Sequence, residues 1–231
     1  MGIGAYETIQ IDANAWRIED DVVRMFLFTG TERALLVDTG FGNGDPRSAV
    51  KQLTDLPIVL VNTHADEDHV GGNAAFETAF MHPAEYAHYA EKNVAGAKPA
   101  PLWEGDVVDL GGGIAFEAIL VPGHTPGSIC LLDRARRILV AGDTVSKTAV
   151  FLFGNARNVP AYIESLKKLS RMRDAFDTIY PSHGRFPLKP DIIEDLRTGA
   201  EKLIGGELRA REPPFEIPAK LFVSGRVAFF Y

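Results

Sequence analysis

Hydrophobic and polar positions along this chain follow two rhythms, and each change of rhythm marks an element. Val22-Val23-Arg24-Met25-Phe26-Leu27-Phe28 is β-branched and aromatic, Gly30-Thr31-Glu32 interrupts it, and Ala34-Leu35-Leu36-Val37 follows, which predicts two strands joined by a turn. Asp38-Thr39-Gly40-Phe41-Gly42-Asn43-Gly44 is too rich in glycine for either regular element and predicts a loop. Asp45-Pro46 places a capping side chain before a proline at the first helical position, so a helix is expected to about Leu53. Ile58 to Val61 reads as a buried strand. A helix from near Asp68 to Phe76, a short strand at Phe80-Met81 and a helix from Pro83 to about Lys92 come next. Asn93 to Gly105 holds prolines and Trp103 and reads as a loop.

In the second half, strands are predicted at Val107–Leu110, Ile114–Val121, Ser128–Leu132 and Ile138–Ala141, with Gly111-Gly112-Gly113 as a turn. Asn158 caps a helix that places Tyr162, Leu166, Leu169 and Met172 on one face. Ile179-Tyr180 ends a further strand. A late helix runs from about Asp191 to Ile204 and stops at Gly205-Gly206. Ala219–Val223 and Val227–Tyr231 alternate around Ser224-Gly225-Arg226, a hairpin signal. Strands lead each half and helices follow, which predicts an α/β fold of two mixed sheets packed face to face with helices outside. No linker divides the chain, so one domain over residues 1–231 is expected.

Composition removes several function classes. At 231 residues and 46% hydrophobic, the chain can bury a sizeable core. Its net charge of −7 comes without basic runs, which argues against nucleic acid as a partner. No apolar run approaches the roughly 20 residues of a membrane span. Met1-Gly2-Ile3-Gly4-Ala5-Tyr6 lacks the basic region and apolar core of a signal peptide. Cys130 is the single cysteine, so no internal disulfide forms. The expectation is a cytoplasmic protein acting on a small-molecule substrate, with no nucleic-acid or membrane partner and its oligomeric state open.

The chemistry concentrates in His64-Ala65-Asp66-Glu67-Asp68-His69, which directly follows an apolar strand. Read alone, the run is either an acidic helix-capping segment or a set of metal ligands, since imidazole and carboxylate at this density suit a divalent ion. Three further candidates favour the metal: His124, Asp143 and His183 each stand in a loop just after an apolar run. His82 before Pro83 reads as structural, His88 as a surface residue, and Cys130 as a small buried one. Trp103 and Phe151-Leu152-Phe153 read as core, with the lining of a substrate pocket as the alternative.

With these motifs in order, the chain resembles the metallo-β-lactamase fold superfamily, in particular its glyoxalase II-like branch, which shares the Gly-His-Thr-Pro-Gly motif seen at 123–127. The resemblance runs from about Val22 to the last helix. It implies a four-layer αββα sandwich and a dinuclear metal site. His64, Asp66 and His124 would serve the first ion, Asp68, His69 and His183 the second, and Asp143 both. Asp38 would hold the site loops by hydrogen bonds. The implied cofactors are two divalent ions, zinc by resemblance. The implied reaction is hydrolysis of a small ester, thioester or lactone by a bridging hydroxide, with Asp68 orienting the water or carrying its proton.

One position departs from the family pattern: Asp66 stands where the second His is usual. Asp66, Asp68, Asp143 and a bridging hydroxide would neutralise two dications, whereas His at 66 would leave a charge of about +1. That weakens the Lewis acid and opens the site to iron or manganese. Two alternatives therefore stand beside the hydrolase: an iron-dependent oxidoreductase on the same fold, and a metal-depleted, non-catalytic binding protein.

Overall fold

The computed structural model describes residues 6–92 and 96–231. Met1–Ala5, which were read for a leader signal, and Asn93–Ala95 of the expected loop lie outside the described residues. The chain divides into two compact units, Met1–Ala118 and Ile119–Tyr231.

The first unit carries a sheet in which neighbouring strands follow chain order. β1 (Glu7–Asp12), β2 (Ala15–Asp20), β3 (Val23–Thr29) and β4 (Ala34–Val37) form an antiparallel meander. β5 (Ile58–Val61), β6 (Thr78–Met81) and β7 (Lys98–Pro101) continue it in parallel. Helices α1 (Pro46–Lys51), α2 (Glu67–Val70) and α3 (Tyr86–Glu91) lie in the crossovers. β3 and β4 are buried at every position. Their continuous apolar runs suit a sheet covered on both faces. On one face Met25, Leu27, Leu36 and Leu60 join Val70 and Met81. On the other, Phe28 lies 4.6 Å from Phe116. β8 (Val107–Asp109) and β9 (Ala115–Leu120) pair as a hairpin around the three glycines, all with positive φ.

In the second unit, β13 (Thr178–Pro181), β11 (Ile138–Gly142) and β10 (Ile129–Asp133) lie side by side in that order. A separate sheet is ordered β12 (Ala149–Phe151), β16 (Val227–Phe230), β15 (Leu221–Ser224), β14 (Ala210–Arg211). Helix α4 (Val159–Arg171) starts where the Asn158 side chain accepts from Ala161 N at 2.9 Å, and it buries Tyr162, Leu166 and Leu169. These pack in one core with Ile192, Leu196 and Leu203 of α5 (Ile192–Ile204) and with Phe229.

The structure differs from the pattern-based reading in a few elements. β1 and β2 were not expected, because charged residues dilute their alternation of Ile9, Ile11, Trp16 and Ile18. β7 falls in the expected loop. Its Pro99 and Pro101 are tolerated because it is the last strand of its sheet, where proline costs no ladder bond. β12 was not among the predicted strands and pairs in parallel with the C-terminal strand. The helix expected from Asp68 to Phe76 is cut to α2 and a 3-10 turn at Asn73–Ala75.

Gly71 and Gly72 cause that break. A Cβ on Gly71 would lie 2.3 Å from the Phe41 carbonyl oxygen, so only glycine lets the loop after β4 close onto α2. Gly123, with φ 140°, plays the same part in the second unit, where a Cβ would lie 2.4 Å from the backbone of Tyr162 in α4. Gly123→Ala is predicted to destabilise the protein by about 2–4 kcal/mol, combining a forbidden backbone angle with a clash against helix backbone. Urea unfolding of the two proteins measures it; an unchanged midpoint would contradict the packing described.

Candidate metal centre

Parallel strands β4 and β5 pair Val37 with Val61, so the loops leaving their carboxyl ends emerge side by side. Ligand sites in sheets of this kind gather at such ends. The first residue of one loop is Asp38, buried and in the left-handed region at φ 63°. That conformation turns its carboxylate onto the other loop. Oδ1 accepts from Thr63 N at 2.7 Å, and Oδ2 accepts from the Thr63 hydroxyl at 2.8 Å. His69 Nδ1 lies 2.8 Å from the same Oδ2. With its proton given to Asp38, the Thr63 oxygen is left to accept from His64 Nδ1 at 3.0 Å. One buried carboxylate thus orients both histidines, whose ring centroids are 3.9 Å apart.

A buried amide network holds the loop from beneath. Asn62 Nδ2 donates to the His69 carbonyl at 2.9 Å, Asn73 Nδ2 donates to Asn62 Oδ1 at 2.8 Å, and Thr39 Oγ1 donates to Asn73 Oδ1 at 2.7 Å. Glu85, fully buried just before α3, accepts from Ala65 N at 2.8 Å. Asp66 occupies the capping position of α2 yet makes no capping bond with its side chain. Its Oδ2 lies 3.4 Å from His64 Nε2, and its Oδ1 lies 2.8 Å from His88 Nε2. The acidic-capping reading of this run therefore fails at Asp66. Asp68, on the first turn of α2, places Oδ2 3.7 Å from His69 Nε2.

The second unit gathers the other three candidates. His124 is buried, and its Nδ1 donates to the Phe151 carbonyl at 2.9 Å. Its own carbonyl accepts from Arg157 at 2.7 Å. Asp143 follows β11 and stands between two imidazoles, with Oδ2 3.7 Å from His124 Nε2 and Oδ1 3.2 Å from His183 Nε2. Ser182 N donates to the Gly142 carbonyl at 3.2 Å, which holds the segments of Asp143 and His183 together. Tyr162 of α4 donates to the Thr144 carbonyl at 2.8 Å and fixes the other side of the Asp143 turn.

These contacts test whether the residues suit a metal. A carbonyl only accepts, so His124 carries its proton on Nδ1 when neutral and keeps the Nε2 lone pair toward Asp143. The Asp38 bond imposes the same tautomer on His69, with Nε2 toward Asp68. A lone pair facing a carboxylate oxygen is repulsive, and a cation between them removes the repulsion. Donor atoms about 2.0–2.2 Å from a tetrahedral ion stand about 3.4 Å apart. The separations here run from 3.2 to 3.7 Å. The donor set of each unit fits a divalent metal.

The sequence model of the family described as the Metallo-beta-lactamase superfamily matches residues 18–183. The chain belongs to this superfamily. Among curated proteins it is similar to an acyl-coenzyme A thioesterase, MBLAC2, of Gallus gallus, 27% identical over 198 residues that cover 69% of this chain and 71% of the relative. A hydroxyacylglutathione hydrolase of a Polaromonas species is 34% identical over 127 residues, covering 54% of this chain and 47% of the relative. Among solved structures, a metallo-beta-lactamase from Pontibacter korlensis superposes with a TM-score of 0.69 at 18% identity, covering 85% of this chain and 99% of the other. The fold is that of the metallo-β-lactamases.

Several residues of this superfamily member behave otherwise than their sequence context suggests. His88 is not a surface residue but a half-buried partner of Asp66, and that hydrogen bond raises its pKa above the usual imidazole value. Trp103 is not core: it is 53% exposed, with its ring edge-on to His82. Leu152 is buried, while Phe151 and Phe153 are only partly so. Cys130 is buried and desolvation pushes its thiol pKa up, which leaves it neutral and inert. His82 caps its turn by accepting from Ala84 N at 3.2 Å.

Thr63, Asn62, Asn73 and Glu85 were not singled out from sequence, and His88 was read only as a surface residue. The available signal was the spacing of Glu85, His88 and Tyr89, which share one face of a predicted helix.

Two outcomes are expected. At a pH where the histidines are neutral, long-range ¹H–¹⁵N spectra of the metal-free protein place the His124 proton on Nδ1, and a proton on Nε2 would contradict the geometry. Asp38→Ala leaves Thr63 N, the Thr63 hydroxyl and His69 Nδ1 without their acceptor in a buried site and costs about 3 kcal/mol or more, read by chemical unfolding.

Proposed function

We propose that the two units act as one domain over residues 1–231, a metal-dependent hydrolase of small acyl substrates, thioesters first, then esters and lactones. The observation that carries this is the paired set of imidazoles held as Nδ1–H tautomers, each presenting Nε2 to a carboxylate. The family match supports joining the two sets, since residues 18–183 include every one of these side chains. In this reading His64, Asp66, His124 and Asp143 hold one divalent ion, and Asp68, His69, His183 and Asp143 hold the other. The names of the two curated relatives support an acyl group carried on coenzyme A or glutathione as the substrate class.

Bound, such a pair of ions supplies a water that ionises near neutral pH and a Lewis acid for the substrate carbonyl. The chain supplies the rest. Asp38 and Thr63 lock the His64 and His69 rings so that their Nε2 atoms do not rotate away during turnover. Asp68 is part exposed beside His69, where it accepts the proton of the attacking water and passes it to the leaving group. No side-chain nucleophile is needed, and Cys130, buried and protonated, does not serve as one. Zinc is the ion we assign. Iron, the basis of an oxidoreductase reading, is favoured only by the carboxylate at 66.

Hydrolysis of a panel of acyl-coenzyme A, acyl-glutathione, ester and lactone substrates tests the proposal. Thioester cleavage is expected to vanish on chelation and to return with zinc. Asp68→Asn is expected to lower kcat about 100-fold or more with KM little changed, as general acid–base catalysts do. Undiminished turnover in strong chelator would overturn the proposal.

A further inference from the structure

We propose that His88 is a positioning residue that turns Asp66 into a one-oxygen metal ligand, so that the His64-Ala65-Asp66 segment performs the task of a His-x-His pair. The inference rests on the metal-centre reading above and concerns a residue outside its ligand set.

Asp66 has two competing uses. Its backbone, at φ −68° and ψ 153°, is that of a helix cap, directly before α2. A capping Asp normally turns its carboxylate onto the backbone N–H groups of the first helical turn. Here it does not, although Asp66 O already accepts from His69 N at 2.9 Å. His88 Nε2 takes Oδ1 at 2.8 Å, and Oδ2 is left 3.4 Å from His64 Nε2, the spacing of two donors on one ion. With one oxygen engaged, the carboxylate offers a single donor atom, as an imidazole does.

The element that delivers His88 is anchored to the same loop on both sides. Glu85 holds Ala65 N at 2.8 Å, and Tyr89 meets Asn73 Nδ2 at 3.2 Å while donating to the Ala97 carbonyl at 3.0 Å. His88 lies between these anchors on α3, so its backbone is held relative to residues 64–66 by contacts that do not involve Asp66. Of the other carboxylates around His88, Glu85 accepts from Ala65 N, and Glu91 is 3.7 Å from Nδ1, beyond hydrogen-bonding distance, and largely exposed. Without His88, Asp66 is free to swing onto the amides of α2, and its Oδ2 leaves His64.

Zinc affinity measured by competition with a chromophoric chelator tests this on the full chain, with circular dichroism as the check on folding. The parent is expected to bind two ions. His88→Ala weakens one of them about 10- to 100-fold and spares the other, as loss of an outer hydrogen-bond partner does. His88→Gln, which keeps a donor, stays within a few-fold of the parent. In an Asp66→Ala background, His88→Ala has no further effect. If the alanine variant does not fold, His88→Met, which lacks the donor but keeps bulk, takes its place. Parent-like binding of both ions in the donor-less variant overturns the inference, and so does an equal loss in the Asp66→Ala background. A parent that binds fewer than two ions overturns the metal-centre reading itself, and the inference with it.

Discussion

The carboxylate of Asp38 is the constraint on which the donor set of the first unit depends. It is buried, it sits in a backbone conformation that non-glycine residues seldom adopt, and it accepts from Thr63 twice and from His69 once. A buried charge is tolerated only when such bonds surround it. The bonds are therefore obligatory for Asp38 as much as for the histidines. The positive φ directs the side chain across to the loop after β5 instead of along its own strand. Because β4 and β5 are paired in register, a short carboxylate spans the gap.

From that constraint follow the tautomers of His69 and His64, and a backbone carbonyl sets the same tautomer at His124. Nδ1 of His69 is engaged directly, Nδ1 of His64 through the Thr63 hydroxyl, and Nδ1 of His124 by a backbone carbonyl. In each case the consequence is the same: the basic nitrogen is Nε2, and it faces a carboxylate. An arrangement that concentrates lone pairs and negative charge is unfavourable by itself, and it is the arrangement a divalent cation stabilises. Helix α3 adds a second support. It reaches the same loop through Glu85 and His88, so the run at 64–69 is held from the strand ends on one side and from α3 on another.

Much of this was legible in the chain because its signals are local. Strand alternation, the Asn158 cap, the glycine pair after α5 and the hairpin at Ser224-Gly225-Arg226 need no tertiary contact to be read. The dense run at 64–69 and the lone His124, Asp143 and His183 were conspicuous for the same reason. What escaped depends on distant partners. Thr63 at a strand end looks like an ordinary β-former until Asp38, 25 residues earlier, is placed beside it. His88 looks like a helix-surface residue until Asp66, 22 residues away, turns toward it. β7 was hidden by its prolines, whose edge position is a property of the sheet and not of the segment.

His64, Asp66, Asp68 and His69 are proposed to share one dinuclear centre with His124, Asp143 and His183. The most direct test is a crystal structure of the protein purified without added metal or chelator, with anomalous scattering recorded at the zinc, iron and manganese edges. Two anomalous peaks are expected, one bonded to His64 Nε2 and Asp66 Oδ2, the other to His69 Nε2 and Asp68, with Asp143 touching both. No peak, or a single peak not bonded to Asp66, would contradict it.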